Sequence, residues 1–167
     1  MAPCPAGDCA VTRRDLRAAD IRVFSEAVRE FFATLTSERA EVRSAYVLES
    51  EEAVLWNDFN GLIEVDGGFS GCIAFSAPRG LLTHVLLRMG DQEFSEASHC
   101  DVVGEIANIL SGSARRHFGE GLRISPPTTL PGRGGFLPKP VAGTSYAIPL
   151  RWNGYEADLV VSLESAS

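Results

Sequence analysis

Apolar side chains recur every three to four positions in some stretches and about every second position in others, and this contrast divides the chain. From Asp20 to about Leu35, the residues Ile21, Phe24, Ala27, Val28, Phe31, Phe32 and Leu35 fall on helical spacing. Four short segments follow: Ala45–Glu49, Ala53–Trp56, Gly61–Val65 and Phe69–Phe75. They are rich in β-branched and aromatic residues and are separated by polar turns, which predicts strands in a meander. Asp66-Gly67-Gly68 is a tight-turn signal between the last two. Pro78 suits the first turn of a buried helix running to Met89 and closed by Gly90. After a linker, a further helix extends to about Phe118, with Gly119 as its stop. Residues 122–131 read as extended and 132–143 as a loop. Ser145–Trp152 and Tyr155–Leu163 flank Asn153-Gly154, the strongest short hairpin signal in the chain. The predicted class is α+β, a largely antiparallel sheet of about six strands packed with long helices. Residues 1–11 read as a flexible tail and 12–167 as one domain.

The helix ending near Phe118 has an unusual polar face. At roughly 100° per residue, Val102, Val103, Ile106, Ala107, Leu110, Ala114 and Phe118 share one broad arc, which is the expected core side. Asp101, Gly104, Glu105, Asn108, Gly112 and Arg115 occupy the opposite arc. Two carboxylates, an amide and two glycines replace the usual mixture of Lys and Glu. A glycine inside a helix costs about 0.8–1 kcal/mol relative to alanine. On a solvent face no core packing offsets that cost, whereas close approach by a partner would. Gly112 can also be read simply as the end of the helix.

Composition narrows the function. The net charge of −7 disfavours direct nucleic-acid binding. No apolar run approaches a membrane span, and Met1-Ala2-Pro3-Cys4-Pro5 lacks the pattern of a signal peptide, so a cytoplasmic location is expected. The four cysteines, Cys4, Cys9, Cys72 and Cys100, and the three histidines, His84, His99 and His117, show no metal-ligand spacing. Reduced thiols, structural or surface histidines and no resident metal are expected. Gly132-Arg133-Gly134-Gly135 is bracketed by prolines with no helix after it, so it reads as a loop rather than a phosphate cradle.

The stretch from Asp101 onward resembles the chemotaxis phosphatases of the CheC, CheX and FliY group. Their pattern is Asp or Ser, three residues, Glu, two residues, Asn, twenty-two residues, Pro. Asp101, Glu105, Asn108 and Pro131 fit it, and Ile109-Leu110-Ser111-Gly112-Ser113-Ala114 is similar to the family's helix continuation. The first helix carries no Glu-x-x-Asn, so one site per chain is closer to the CheX type than to the double-site CheC type. The resemblance implies a CheX-like fold and hydrolysis of the aspartyl phosphate of a CheY-like response-regulator receiver domain. Asn108 would position the attacking water and Glu105 would pair with the receiver's lysine, these two being the catalytic residues. Asp101, Gly104, Gly112 and Arg115 would meet the partner, although a solvated side chain is the simpler reading of Arg115. Pro131 would be structural beside the site. Mg²⁺ would come with the phosphorylated receiver rather than with this chain. A homodimer is expected from the resemblance and from a sheet edge open to pairing. The alternative is a non-catalytic CheX-like module that binds receivers or dimerises as a scaffold.

Overall fold

The computed structural model describes residues 16–36, 38–48, 54–55, 57–119, 122–132, 135–136 and 144–165. The tail 1–11, with Cys4 and Cys9, lies outside them. Helix α1 (Ala18–Leu35) is followed by strands β1 (Glu41–Val42), β2 (Tyr46–Leu48), β3 (Val54–Leu55), β4 (Phe59–Gly67) and β5 (Phe69–Ala77). Helices α2 (Arg79–Arg88) and α3 (Glu96–Phe118) come next. Then follow β6 (Leu122–Ile124), β7 (Thr128–Pro131), β8 (Gly135–Phe136), β9 (Ser145–Trp152) and β10 (Tyr155–Ser165).

The main sheet has eight strands in the order β1-β9-β10-β5-β4-β6, with β2 also pairing β9 and β7 also pairing β4. Eight segments therefore fill six lateral positions, and every pairing is antiparallel. The β4–β5 hairpin and the β9–β10 hairpin sit where turn chemistry puts them. Asn153 (φ 51°) and Gly154 (φ 81°) both take the positive φ that a two-residue hairpin turn requires. The expected meander does not form. β1 and β2 leave β4 and β5 to pair with β9, and β3 pairs with β8 in a separate two-stranded ladder. β8 also places a strand inside the stretch read as loop. Each outer position of the sheet is built from two short segments, β1 with β2 on β9 and β6 with β7 on β4.

Strand alternation and helical spacing converge on one core. Phe59 and Ile63 of β4, Ile73 and Phe75 of β5, Leu159 and Val161 of β10, and Ile148 of β9 all face the same way and are fully buried. Phe24, Val28 and Phe32 of α1, with Val103, Ile106 and Leu110 of α3, cover them. Phe118 closes the far end of α3 against Phe24 and Phe69, at ring-centroid distances of 6.1 and 4.9 Å. Leu62, Cys72, Ala74 and Val160 are buried on the sheet's other face.

Two features seat α3. Gly61 lies directly beneath it, and a Cβ there would strike the Val103 carbonyl and come within 3.1 Å of the Ala107 methyl. The bare strand lets helix and sheet touch at backbone distance. At the other end, buried His99 ties α3 to α2. Its Nδ1 donates to the Ser95 carbonyl at 2.7 Å, its Nε2 is hydrogen-bonded with the Thr83 hydroxyl at 2.8 Å, and its ring stacks on Phe59.

Candidate functional site

α3 starts a full turn earlier than the motif alone suggests. Ser95 caps it, its hydroxyl accepting from the Ser98 N–H at 3.1 Å. Glu96 in the first turn and Arg115, Arg116 and His117 in the last complement the helix dipole. The helix continues through Gly112 to Phe118, so Gly112 does not terminate it.

Asp101, Glu105, Asn108 and Arg115 are all exposed along one face, as their spacing requires. Glu105 and Asn108 are one turn apart, close enough to enter one recess of a partner together. Gly112 is half-buried, and a Cβ built on it would meet nothing within 4 Å. Nothing among the described residues requires a glycine there.

Gly104 departs from the sequence reading. It is buried rather than presented to a partner. A Cβ at this position would come within 3.0 Å of the Thr129 methyl and 3.3 Å of the Pro127 ring. Helical angle alone placed Gly104 on the polar arc, but the segment leading into β7 covers that flank of the helix. The glycine admits Pro127 and Thr129 as a wall beside the Glu105–Asn108 face.

Pro131 itself is exposed at the end of β7, opposite Phe59 on the outer strand. There a missing N–H costs no ladder bond. Gly132 (φ 107°) turns the chain immediately after it, its N–H donating to the Asp58 carbonyl at 2.8 Å. Buried Asn60 holds this end of the wall. Its amide donates to the carbonyls of Leu130 and Gly132 at 3.1 and 3.0 Å, and its Oδ1 accepts from the Ser76 hydroxyl at 2.6 Å.

The structure also assembles residues that the sequence reading left in a linker. Asp91, Gln92 and Glu93, between α2 and α3, join Asp101 and Glu105 around a recess of about 380 Å³ floored by Leu86, Met89 and Val102. Asp91 is fixed by its N–H, which donates to the Leu86 carbonyl at 3.0 Å. Four carboxylates thus border one hollow, with Glu105 on its rim. The acidic run after Gly90 was the available signal, but periodicity does not say which helix a linker folds back upon.

The His117 side chain is 42% exposed, and its Nε2 lies 3.3 Å from Asp20 Oδ1 at the start of α1. The ring thus reaches from α3 across to α1. On α1, Arg29 pairs with Glu26 at 2.6 Å, at exposed positions. Among the described residues no group of three or more His, Cys, Asp or Glu side chains is placed to hold a metal ion.

Residues 59–151 match the family model "Chemotaxis phosphatase CheX". The chain belongs to this family. The matched span includes β4, β5, α2, all of α3 and the β7 wall, and so contains the whole Glu105–Asn108 face. No curated protein sequence matches the chain.

Solved structures agree on the fold. A putative chemotaxis protein from Desulfovibrio vulgaris Hildenborough superposes with a TM-score of 0.75 at 21% identity, covering 87% of this chain and 96% of its own. Chemotaxis protein CheX from Vibrio vulnificus gives 0.75 at 20% identity, with 87% and 99% covered. A Borrelia burgdorferi CheX, solved in complex with CheY, BeF₃ and Mg²⁺, gives 0.70 at 14% identity, with 88% and 99% covered. Among the described residues of this CheX-family chain, no helix is long and apolar enough to cross a membrane.

Proposed function

We propose that this CheX-family domain accelerates hydrolysis of the aspartyl phosphate on a CheY-like receiver domain, using Asn108 and Glu105. The observation that carries the reading is the placement of these two side chains, exposed and one turn apart, on the helix at the centre of the family-matched span. The CheY bound in the Borrelia burgdorferi CheX complex supports a receiver domain as the class of partner.

An acyl phosphate needs an in-line water and relief of charge on the phosphoryl oxygens. The Asn108 carbonyl can accept from that water while its NH₂ donates to a phosphoryl oxygen. Glu105 supplies a carboxylate for the lysine of the receiver's pocket, and the acidic recess beside it favours a cationic group. The Pro127–Thr129 wall limits how the receiver can tilt about α3. Mg²⁺ is held by the receiver, where it neutralises the phosphoryl group. This chain forms no covalent intermediate in such a scheme, and its contribution is position and polarity.

The test is to phosphorylate CheY-type receivers with acetyl phosphate and follow their decay with the parental chain and with Asn108→Ala. The parental chain should speed decay, and the variant should lose about a hundredfold or more of that effect while keeping its melting temperature. An Asn108→Ala variant that matches the parent would refute the assignment. Stoichiometric binding without faster decay would make the domain a receiver-binding scaffold instead.

A further inference from the structure

A second feature lies next to the proposed site. α1 and α3 diverge on the outer surface and leave a trough of about 330 Å³ between them. Its walls are Ala27, Phe31 and Leu35 from α1 and Ile109 from α3, with Glu30 and Arg116 at the rim. A neighbouring hollow of about 470 Å³ shares Ala27, Glu30, Ser113 and Arg116 and prolongs the trough toward His117. Ile109 is 41% exposed and directly follows Asn108. Among the described residues, no contact accounts for a large aliphatic side chain left open at that point.

We propose that this α1–α3 trough is the apolar anchor site for the receiver domain, taking one or two apolar side chains from the receiver's surface beside its phosphorylation pocket. The inference rests on the reading of Glu105 and Asn108 given above. Continuity and size support it. A stable interface buries about 800 Å² on each partner, a disc of roughly 16 Å radius. Along a helix rising 1.5 Å per residue, that is about ten residues either side of its centre. A receiver whose pocket encloses Asn108 therefore covers α3 from near its start to near Phe118, and the trough lies inside that footprint.

The two halves of the footprint have different chemistry. Toward the start of α3 lies the carboxylate-lined recess. Toward its end lies the apolar trough. Charged rims chiefly steer encounter, whereas buried apolar anchors chiefly slow dissociation. Glu105 and Asn108, set between the halves, remain available for the chemical step. Ile109 is on this account a specificity-determining residue and not a catalytic one.

Two variants test the proposal, each altering one wall: Ile109→Glu on α3 and Thr34→Glu at an exposed position of α1 that also borders the trough. The full chain is titrated by calorimetry against a CheY-type receiver domain loaded with beryllofluoride and Mg²⁺. Phosphoryl decay is then followed at saturating phosphatase. Dissociation constants should rise about tenfold or more for Ile109→Glu and measurably for Thr34→Glu. The decay rate at saturation should stay at the parental value. Unchanged affinity in either folded variant overturns the anchor site and leaves the role of Asn108 standing. A change in self-association of the isolated chain, with receiver affinity unaltered, also overturns it and gives the trough to a second copy of this chain. Failure of the parental chain to bind any receiver overturns both readings.

Discussion

Replacing Gly112 with alanine adds one methyl group to the middle of α3, and the surroundings fix the sign of its effect. The Cβ would have nothing within 4 Å, so no internal clash opposes it. Helix propensity then favours alanine by about 0.8–1 kcal/mol. In a chain of 167 residues, 1 kcal/mol corresponds to a rise in melting temperature of about 2–4 °C. The same methyl would stand in the way of a receiver resting against the bare helix. Forcing a methylene-sized group into a filled contact costs about 1–3 kcal/mol, which is roughly fivefold or more in KM. Gly112→Ala should therefore be more stable and a poorer phosphatase at low receiver concentration, with its saturating rate retained. Calorimetric melting and a receiver-concentration series measure the two effects separately. Gly61→Ala is the control of opposite sign, because its methyl would be driven into the Val103 backbone. A destabilised Gly112→Ala would show that the gap serves the fold. A stabilised variant with unaltered KM would show that no partner comes close at this point.

Three further outcomes follow from the same site and fold. Glu105→Gln keeps the shape of the side chain but removes its charge, so receiver binding measured by titration should weaken and lose part of its salt dependence; loss of turnover at unchanged affinity would instead make Glu105 a participant in the chemistry. The purified chain should carry no stoichiometric metal by elemental analysis, yet receiver decay should slow to its basal rate in chelator and recover with Mg²⁺; activity that survives chelation would reject the receiver-held metal. On β10, partial burial, aided by neighbouring Glu156 and opposed by a hydrogen bond with the Asn57 side chain, lifts the Asp158 carboxyl from 3.8 to about 6. Between those values the folded state holds a proton that the unfolded chain has released, so this group makes stability fall as pH rises. Asp158→Asn should flatten that fall in urea midpoints taken across the window and raise the midpoint at pH 7.

The parts of this architecture that could be read from sequence are those governed by neighbours along the chain. Asn153-Gly154 specifies its own hairpin because only a few residue pairs tolerate two consecutive positive φ angles. The spacing of Glu105 and Asn108 places them on one exposed face whatever the helix packs against. Strand partners were beyond reach for the opposite reason. β1 and β2 find β9 about a hundred residues away, and no local signal marks that choice over pairing with β4. Gly104 illustrates the same limit within the site. Helical periodicity gives it an angle, but only the pairing of β7 with β4 places Thr129 over it. Ser95 was legible as a cap and would have set the start of α3.

The double duty of Gly61 limits how this site can be moved or redesigned. One face of that residue admits the backbone of α3, while its own backbone pairs with Thr129, whose methyl borders Gly104 on the same helix. Strand register and the gap between Asn108 and its wall are consequently a single variable. A one-residue slip of β4 would bring Asn60 or Leu62 beneath Val103 and lift the helix. A helix bearing Glu-x-x-Asn grafted onto another scaffold would copy the pair but not the Pro127–Thr129 wall beside it. The smallest transplantable unit is α3 together with β4 and β7.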